Sequence, residues 1–220
     1  MVYNTIMNTN FDKLFLQEKS KIATSKPTLL LHVCCAPCAT YCLTQVLDAF
    51  DVTLYYANDN ITKYEEWQKR LDEVQRLVDI VNKGQFDVQP AHPLKLVVRP
   101  FDSQRFFAVA KGLEWQKEGG LRCGQCFLLR LTDTMEHAIA NNFDYFATTL
   151  TVSPHKNHVE VNQIGMHLQA LAQQQQSNLL WLPTDFKKRN GYNQSVQLSA
   201  KYNIYRQNYC GCCYSIVELR

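Results

Sequence analysis

Alternating strands and helices predict an α/β chain: a parallel, Rossmann-like sheet covered by helices on both faces. Three observations carry this. The run from Thr28 to Val33 is apolar and of strand type, and it stops at a turn followed by Pro37, a residue favoured in the first turn of a helix. Val52 to Ala57 (VTLYYA) is rich in β-branched and aromatic residues, as strands are. Beyond it, Trp67, Leu71, Val74, Leu77, Val78 and Val81 recur at the three-to-four spacing of one buried helix face.

The elements follow in order. Residues 1–27 form a polar N-terminal extension with a short helix around Phe11 to Lys19, expected outside the core. A strand from Thr28 leads into the turn at Cys34 and Cys35, and a helix starts near Pro37. After the second strand, Asn58 to Thr62 is a loop, and Thr62 is the expected N-cap of a helix reaching about Lys83. Leu94 to Val98 is the third strand. Asp102 opens a helix through about Trp115, and Gly119 and Gly120 break the pattern. Arg122 to Arg130 runs into a helix ending near Asn142. Asp144 to Thr149 is the fourth strand, and the loop Ser153 to His158 precedes a helix ending in glutamines. Leu179 to Leu182 is a short strand before Pro183. A basic loop, a helix from about Asn193 to Tyr202 and a cysteine-rich tail complete the chain. Residues 28–220 are expected to form a single α/β domain, in keeping with a length of 220 residues.

Net charge is +3 and 20% of residues are charged, which is ordinary for a globular chain. Nine cysteines are many. The first 26 residues are polar, with no sustained apolar core such as a secretory signal carries. The longest apolar stretch is too short to span a bilayer. Clustered cysteines in such a chain point to metal binding or redox chemistry in a reducing, cytoplasmic setting, without a membrane.

The cysteines fall into three groups: Cys34, Cys35, Cys38 and Cys42; Cys123 and Cys126; and Cys210, Cys212 and Cys213. The first two groups share one design, a strand or loop end feeding a helix N-terminus, where the dipole favours the thiolate that ligates metal. If both helices begin on one edge of the sheet, Cys34, Cys35, Cys123 and Cys126 can meet as four sulfur ligands. Such a set suits zinc or an iron–sulfur cluster. The adjacent Cys34–Cys35 pair is awkward for a zinc knuckle, which tilts the reading toward a cluster. Cys210 and Cys212, one residue apart, suit either a strained, easily reduced disulfide or further metal ligands.

Lys187, Lys188, Arg189 and Tyr192 form a basic loop, and Tyr202, Tyr205, Arg206 and Tyr209 continue with interleaved aromatic and basic residues. That pattern suits nucleic acid as well as a solvated surface. Ser153, His155, Lys156 and Asn157 stand between a strand and a helix, where anions bind; His155 is a candidate proton donor. His32, within a strand, reads as a core residue. Asp185, beside the basic loop, is a metal ligand, an acid or an ion-pair partner of Lys187 or Arg189.

These residues together resemble the epoxyqueuosine reductases of the QueH type. The resemblance rests on LHVCCAPC ending at Cys38, RCGQC from Arg122 to Cys126, and TTLTVSPHKN from Thr148 to Asn157. It continues in DFKKRNGY from Asp185 to Tyr192 and LSAKYNIYRQNYCGC from Leu198 to Cys212. It implies a Rossmann-like fold of the nucleotide-hydrolase (HUP) type. It also implies a cobalamin-independent oxidoreductase that removes the epoxide oxygen of epoxyqueuosine at the wobble position of tRNA, as water. By the same resemblance Cys34, Cys35, Cys123 and Cys126 hold a [4Fe-4S] cluster, with an additional mononuclear iron beside it and Cys38 and Asp185 near the metals. Cys210 and Cys212 form a redox-active pair. The partners are tRNA carrying epoxyqueuosine and an unidentified electron donor. Cys42 and Cys213 lie outside the pattern, and Asp59 stands where the family usually has proline between two asparagines.

Two rival readings remain. One is a zinc-stabilised, non-catalytic tRNA-binding module. The other is a thiol-dependent tRNA sulfur-transfer enzyme, which is expected to carry SGGxDS where this chain has HVCCAPC.

Overall fold

The computed structural model describes residues 9–22 and 26–217. In chain order its elements are α1 (Phe11–Lys21), β1 (Thr28–His32), α2 (Ala36–Val46), β2 (Asp51–Tyr56) and α3 (Tyr64–Asn82). They continue with β3 (Lys95–Val98), α4 (Ser103–Ala110), α5 (Leu121–Ala140) and β4 (Tyr145–Thr148). A 3-10 turn (Thr149–Val152) leads to α6 (His158–Gln174), β5 (Leu180–Trp181), α7 (Gly191–Lys201) and α8 (Cys213–Val217).

All five strands pair in parallel, in the order β3-β2-β1-β4-β5. The chain winds outward from β1 through β2 to β3, then returns to the other side of β1 with β4. Between β1 and β4 the winding therefore reverses, and in open sheets of this kind ligands sit beyond the carboxyl ends of the strands at that reversal. The cysteine turn leaves β1 at that place.

Because side chains alternate across a strand, β1 feeds two cores. Leu29, Leu31 and Val33 join Tyr41, Leu43, Leu54, Val74 and Leu77 on one face. Leu30 joins Phe127, Leu131, Phe146 and Val161 on the other. Covering a sheet on both faces explains why β1 reads as a continuous apolar run. His32, its last residue, is fully buried, as expected of a core residue.

Four local expectations are corrected. α1 does not lie outside the core: Phe11 and Phe15 are both 1% exposed, and Phe15 packs edge-on against Phe186 with ring centroids 5.5 Å apart. Thr62 does not cap α3; Lys63 holds that position without a side-chain bond, and the Thr62 hydroxyl is buried with no partner. Asp102 does cap α4, accepting from the Gln104 N–H at 3.1 Å. The helix nevertheless ends at Ala110, well short of Trp115, and Gly112 turns the chain at φ +80°. α7 begins two residues before the expected Asn193. A Cβ on its first residue, Gly191, would lie 1.9 Å from the Phe186 carbonyl oxygen and 2.4 Å from Tyr41 Cε1. That close approach seats α7 against α2 and brings Tyr192 and Ser195 to the rim of the site.

Candidate metal and redox site

The sulfurs of Cys34, Cys35 and Cys38 lie within 4.8 Å of one another, and among the described residues they form the one group so close-set. The sequence explains the geometry. β1 ends at His32, Cys35 becomes the N-cap of α2 and Pro37 occupies its first turn, so Cys38 comes round one turn later beside the other two thiols. Cys34 Sγ is 3.6 Å from Cys35 Sγ and 3.8 Å from Thr149 Oγ1. The neighbouring Cys35 and Cys38 groups hold the Cys34 thiol well below its usual range. Cys35 is pushed up to about 12, chiefly by the bond to Cys34. The trio thus loses its first proton from Cys34. That is the electronic state of a site ready for a cation, since thiolates and not thiols ligate metal.

Cys123 and Cys126 sit in the first turns of α5. Cys123 is buried in the same cluster of side chains against which Cys34 packs, and its sulfur accepts from the Gly119 N–H at 3.3 Å. Burial raises the Cys126 thiol to about 11 against the opposing pull of Arg130. Cys126 shares a small cluster with Phe106 and Cys212. The two helix N-termini therefore bring their cysteines to one region, while only Cys34, Cys35 and Cys38 stand within single-ion spacing of one another.

The tail reaches the same place. Arg70 donates to the carbonyls of Tyr209 and Cys210 at 3.2 and 3.0 Å, and the Thr62 N–H donates to the Gly211 carbonyl at 3.2 Å. Gly211 makes this turn at φ +112°, and a Cβ there would stand 2.9 Å from Ile61. Lys156 Nζ donates to Cys210 Sγ at 3.2 Å and pairs with Glu118 at 3.0 Å. The Cys212 group, with Lys156 further along, holds the Cys210 thiol well below its usual range, and Cys212 is driven up in turn. All nine cysteines are free.

A cavity of about 310 Å³ joins these parts; Cys34, Cys38, Cys210, Lys156, Arg130 and His155 are among its lining. Tyr192 and Arg206 also line it, with the guanidinium 5.7 Å from the ring centre. Tyr209 lines it too, whereas Lys187, Lys188, Arg189, Tyr202 and Tyr205 do not. Lys187 donates to the Lys156 carbonyl at 2.6 Å. Arg189 pairs with Asp12 at 2.8 Å, and Lys188 is exposed. Asp185 is outside the lining as well. It is buried, 3.4 Å from His158 Nε2, and its Oδ1 has no partner. What it meets is His158, whose imidazole burial pushes below its usual range, and not Lys187 or Arg189.

Sequence reasoning missed Arg70 and Arg130. Arg70 falls between Trp67 and Val74, inside the apolar stripe of α3, and is 2% exposed. Arg130 is one helical turn from Cys126, with Nη1 at 3.9 Å from its sulfur. In both cases the signal was a cation on the buried face of a helix.

Residues 29–218 match the family model described as "Epoxyqueuosine reductase QueH". Curated proteins of that name are similar over most of the chain. The one from Streptococcus pyogenes is 37% identical over 215 residues, 96% of this chain and 80% of that one. Its counterpart in Staphylococcus aureus is 35% identical over 195 residues, 88% and 77% of the two chains. The Thermotoga maritima protein is 29% identical over 197 residues, 88% and 92%. Among solved structures, the U34-tRNA thiolase NcsA from Methanococcus maripaludis with its [4Fe-4S] cluster aligns over 92% of this chain and 69% of its own. Its TM-score is 0.46 at 11% identity, so the fold assignment rests on the sheet itself.

Proposed function

The chain belongs to the epoxyqueuosine reductase QueH family, and from that premise we propose that it reduces epoxyqueuosine to queuosine at the wobble position of tRNA. The epoxide takes up two electrons and two protons, its oxygen leaves as water, and an alkene remains. The observation that carries this reading is the shared cavity: metal-ligand thiols, at Cys34 and Cys38, face a redox thiol, at Cys210.

The donor set fits an iron–sulfur group. Soft thiolates select such metals, and the trio is close-set, with its Cys34 thiol held well below the usual range by its two neighbours. In this proposal Cys34, Cys35, Cys123 and Cys126 hold a [4Fe-4S] cluster, and Cys38 stands ready for an adjacent mononuclear iron. When bound, such a group delivers electrons singly, and an iron with an open position polarises the epoxide oxygen. The chain's own residues do the rest. Cys210 as thiolate and Cys212 as thiol contain the two electrons and one of the two protons the reaction consumes, becoming a disulfide that an external donor must reduce again; the second proton comes from a cavity side chain. Cys212 and Lys156 together favour Cys210 as the thiolate. His155 and Lys156 line the cavity and rank before Asp185 as proton donors to the leaving oxygen. Tyr192 and Arg206 at the rim offer an aromatic face and a cation to the nucleotide; Lys187, Lys188 and Arg189 contribute at most to a wider basic surface.

The test is an anaerobic assay on tRNA containing epoxyqueuosine, read by mass spectrometry for loss of one oxygen, on protein analysed for iron, sulfide and zinc. Loss of the oxygen by iron-containing protein supports the proposal. Zinc without iron, and intact epoxide, would favour the non-catalytic tRNA-binding module.

A further inference from the structure

Arg130 lies under the cysteines and is 2% exposed. Its Nε donates to His32 Nε2 at 3.3 Å, its Nη2 to Asn58 Oδ1 at 2.7 Å, and its Nη1 points to Cys126 Sγ at 3.9 Å. None of these partners is an anion in the metal-free chain. His32 is fully buried, with Nδ1 2.8 Å from Thr148 Oγ1 and Nε2 also 3.2 Å from the Ala57 carbonyl oxygen. The acids of the neighbourhood are taken. Asp59 pairs with Arg99 and Arg105, at 2.6 and 2.9 Å. Asp133, one turn further along α5, pairs with the same two arginines, at 3.4 and 2.6 Å.

Other buried cations are provided for. Arg70 has Glu66 at 2.6 Å and Lys156 has Glu118 at 3.0 Å. Among the described residues Arg122 pairs with no carboxylate, but its guanidinium serves the carbonyls of Leu113, Glu114 and Gln116 and lies over the Tyr214 ring. Among the described residues Arg130 forms no ion pair. An isolated buried charge is strongly unfavourable, and it persists only where an anion compensates it. Its surroundings on the cavity side are sulfurs: Nη1 is 3.9 Å from Cys126 Sγ, and Arg130 lines the same cavity as Cys34, Cys38 and Cys210.

We infer that Arg130 is the fixed counter-charge of the metal–thiolate centre, placed to hold the reduction potential of that centre up and to favour its reduced form. This inference rests on the cluster reading given above. Its physical content is electrostatic. A guanidinium fixed beside the thiolates stabilises the more negative, reduced state over the oxidised one. His32 and Asn58 are then positioning residues that aim it.

The test compares anaerobically loaded wild type, Arg130→Gln, Arg130→Lys and Asn58→Asp by redox titration of the visible and paramagnetic signals of the centre. Arg130→Gln removes the charge, and the ratio of oxidised to reduced centre at a fixed poise should rise about tenfold, about 59 mV for a one-electron couple. Arg130→Lys should stay near the wild-type midpoint. Asn58→Asp leaves Arg130 in place but supplies the missing carboxylate, and should move the midpoint in the same negative direction. If Arg130→Gln does not fold, Asn58→Asp alone decides. A loaded Arg130→Gln or Asn58→Asp protein titrating at the wild-type midpoint would overturn the inference while leaving the cluster in place. Wild-type protein free of iron would overturn both.

Discussion

Replacing Lys156 by Gln removes the ammonium 3.2 Å from Cys210 Sγ while keeping a side chain of similar length. Two unit charges about 4 Å apart interact by about 4 kcal/mol at an effective dielectric of about 20. The realised effect is smaller, for two reasons. Glu118, 3.0 Å from the same ammonium, draws off part of its field. The Cys212 group is also a larger cause of the depressed Cys210 thiol than Lys156 is. An opposite charge in such a position shifts a pKa by about 1–3 units, and the lower half of that range is expected here. The Cys210 titration midpoint should therefore rise by about one to two units, and its thiolate fraction below that midpoint should fall about ten- to a hundredfold. The assay is the pH profile of iodoacetamide alkylation at Cys210 in reduced protein, resolved by peptide mass spectrometry. Lys156→Arg should stay near wild type. An unmoved midpoint in Lys156→Gln would refute the assignment of Lys156 as a group that, beside Cys212, favours the thiolate.

Three further predictions follow from particular contacts. Gly211→Ala places a methyl 2.9 Å from Ile61 Cγ1 and 3.2 Å from Arg70 Nη1, at a backbone φ of +112°; thermal melts should show a loss of about 1–3 kcal/mol, and Cys210 should become more accessible to alkylation. Phe15→Ala vacates a 1%-exposed core position and should cost about 3–5 kcal/mol in denaturant titration, whereas an α1 merely resting on the surface would lose almost nothing. Burial raises the Asp59 carboxyl to about 6, although Arg99 and Arg105 pull the other way. Between about pH 4, where the unfolded chain releases this proton, and about pH 6 the native state still holds it. Stability from this group thus falls as pH climbs through that window, by about 1–3 kcal/mol, and is flat above it. Asp59→Asn should remove the slope in equilibrium unfolding measured from pH 4 to 7.

Much of the fold was legible because burial leaves periodic marks. The two-faced burial of β1 gave an unbroken apolar run, and the stripe of α3 gave its three-to-four spacing. α1 was misjudged because its apolar pair, Phe11 and Phe15, is set among charged residues and covers a single turn. Only the aromatic groove at Phe186 shows what it is for. Thr62 has the chemistry of a cap, yet the chain turns one residue later, where the loop is tied to Gly211. For the site, cysteine spacing suggested two helix N-termini that meet, and the close-set group the structure contains, 34, 35 and 38, follows from one turn of helix. Spacing says nothing about what charges the rest of the molecule supplies. Lys187 and Arg189 read as a surface for phosphate, but they spend their donors on the Lys156 carbonyl and on Asp12. Arg130 reads as one more solvated arginine until its burial is known.

The turn at Gly211, clasped by Arg70 and Thr62, sets an order of events. Cys210 and Cys212 leave the ribosome after every other residue of the cavity. The sheet, the trio on α2 and the pair on α5 have already been synthesised by then. Until the segment around Gly211 docks, the thiols of α2 and α5 lack one wall, and the site has an open approach. Docking closes that route, so filling the centre belongs before the clasp shuts or requires it to lift again.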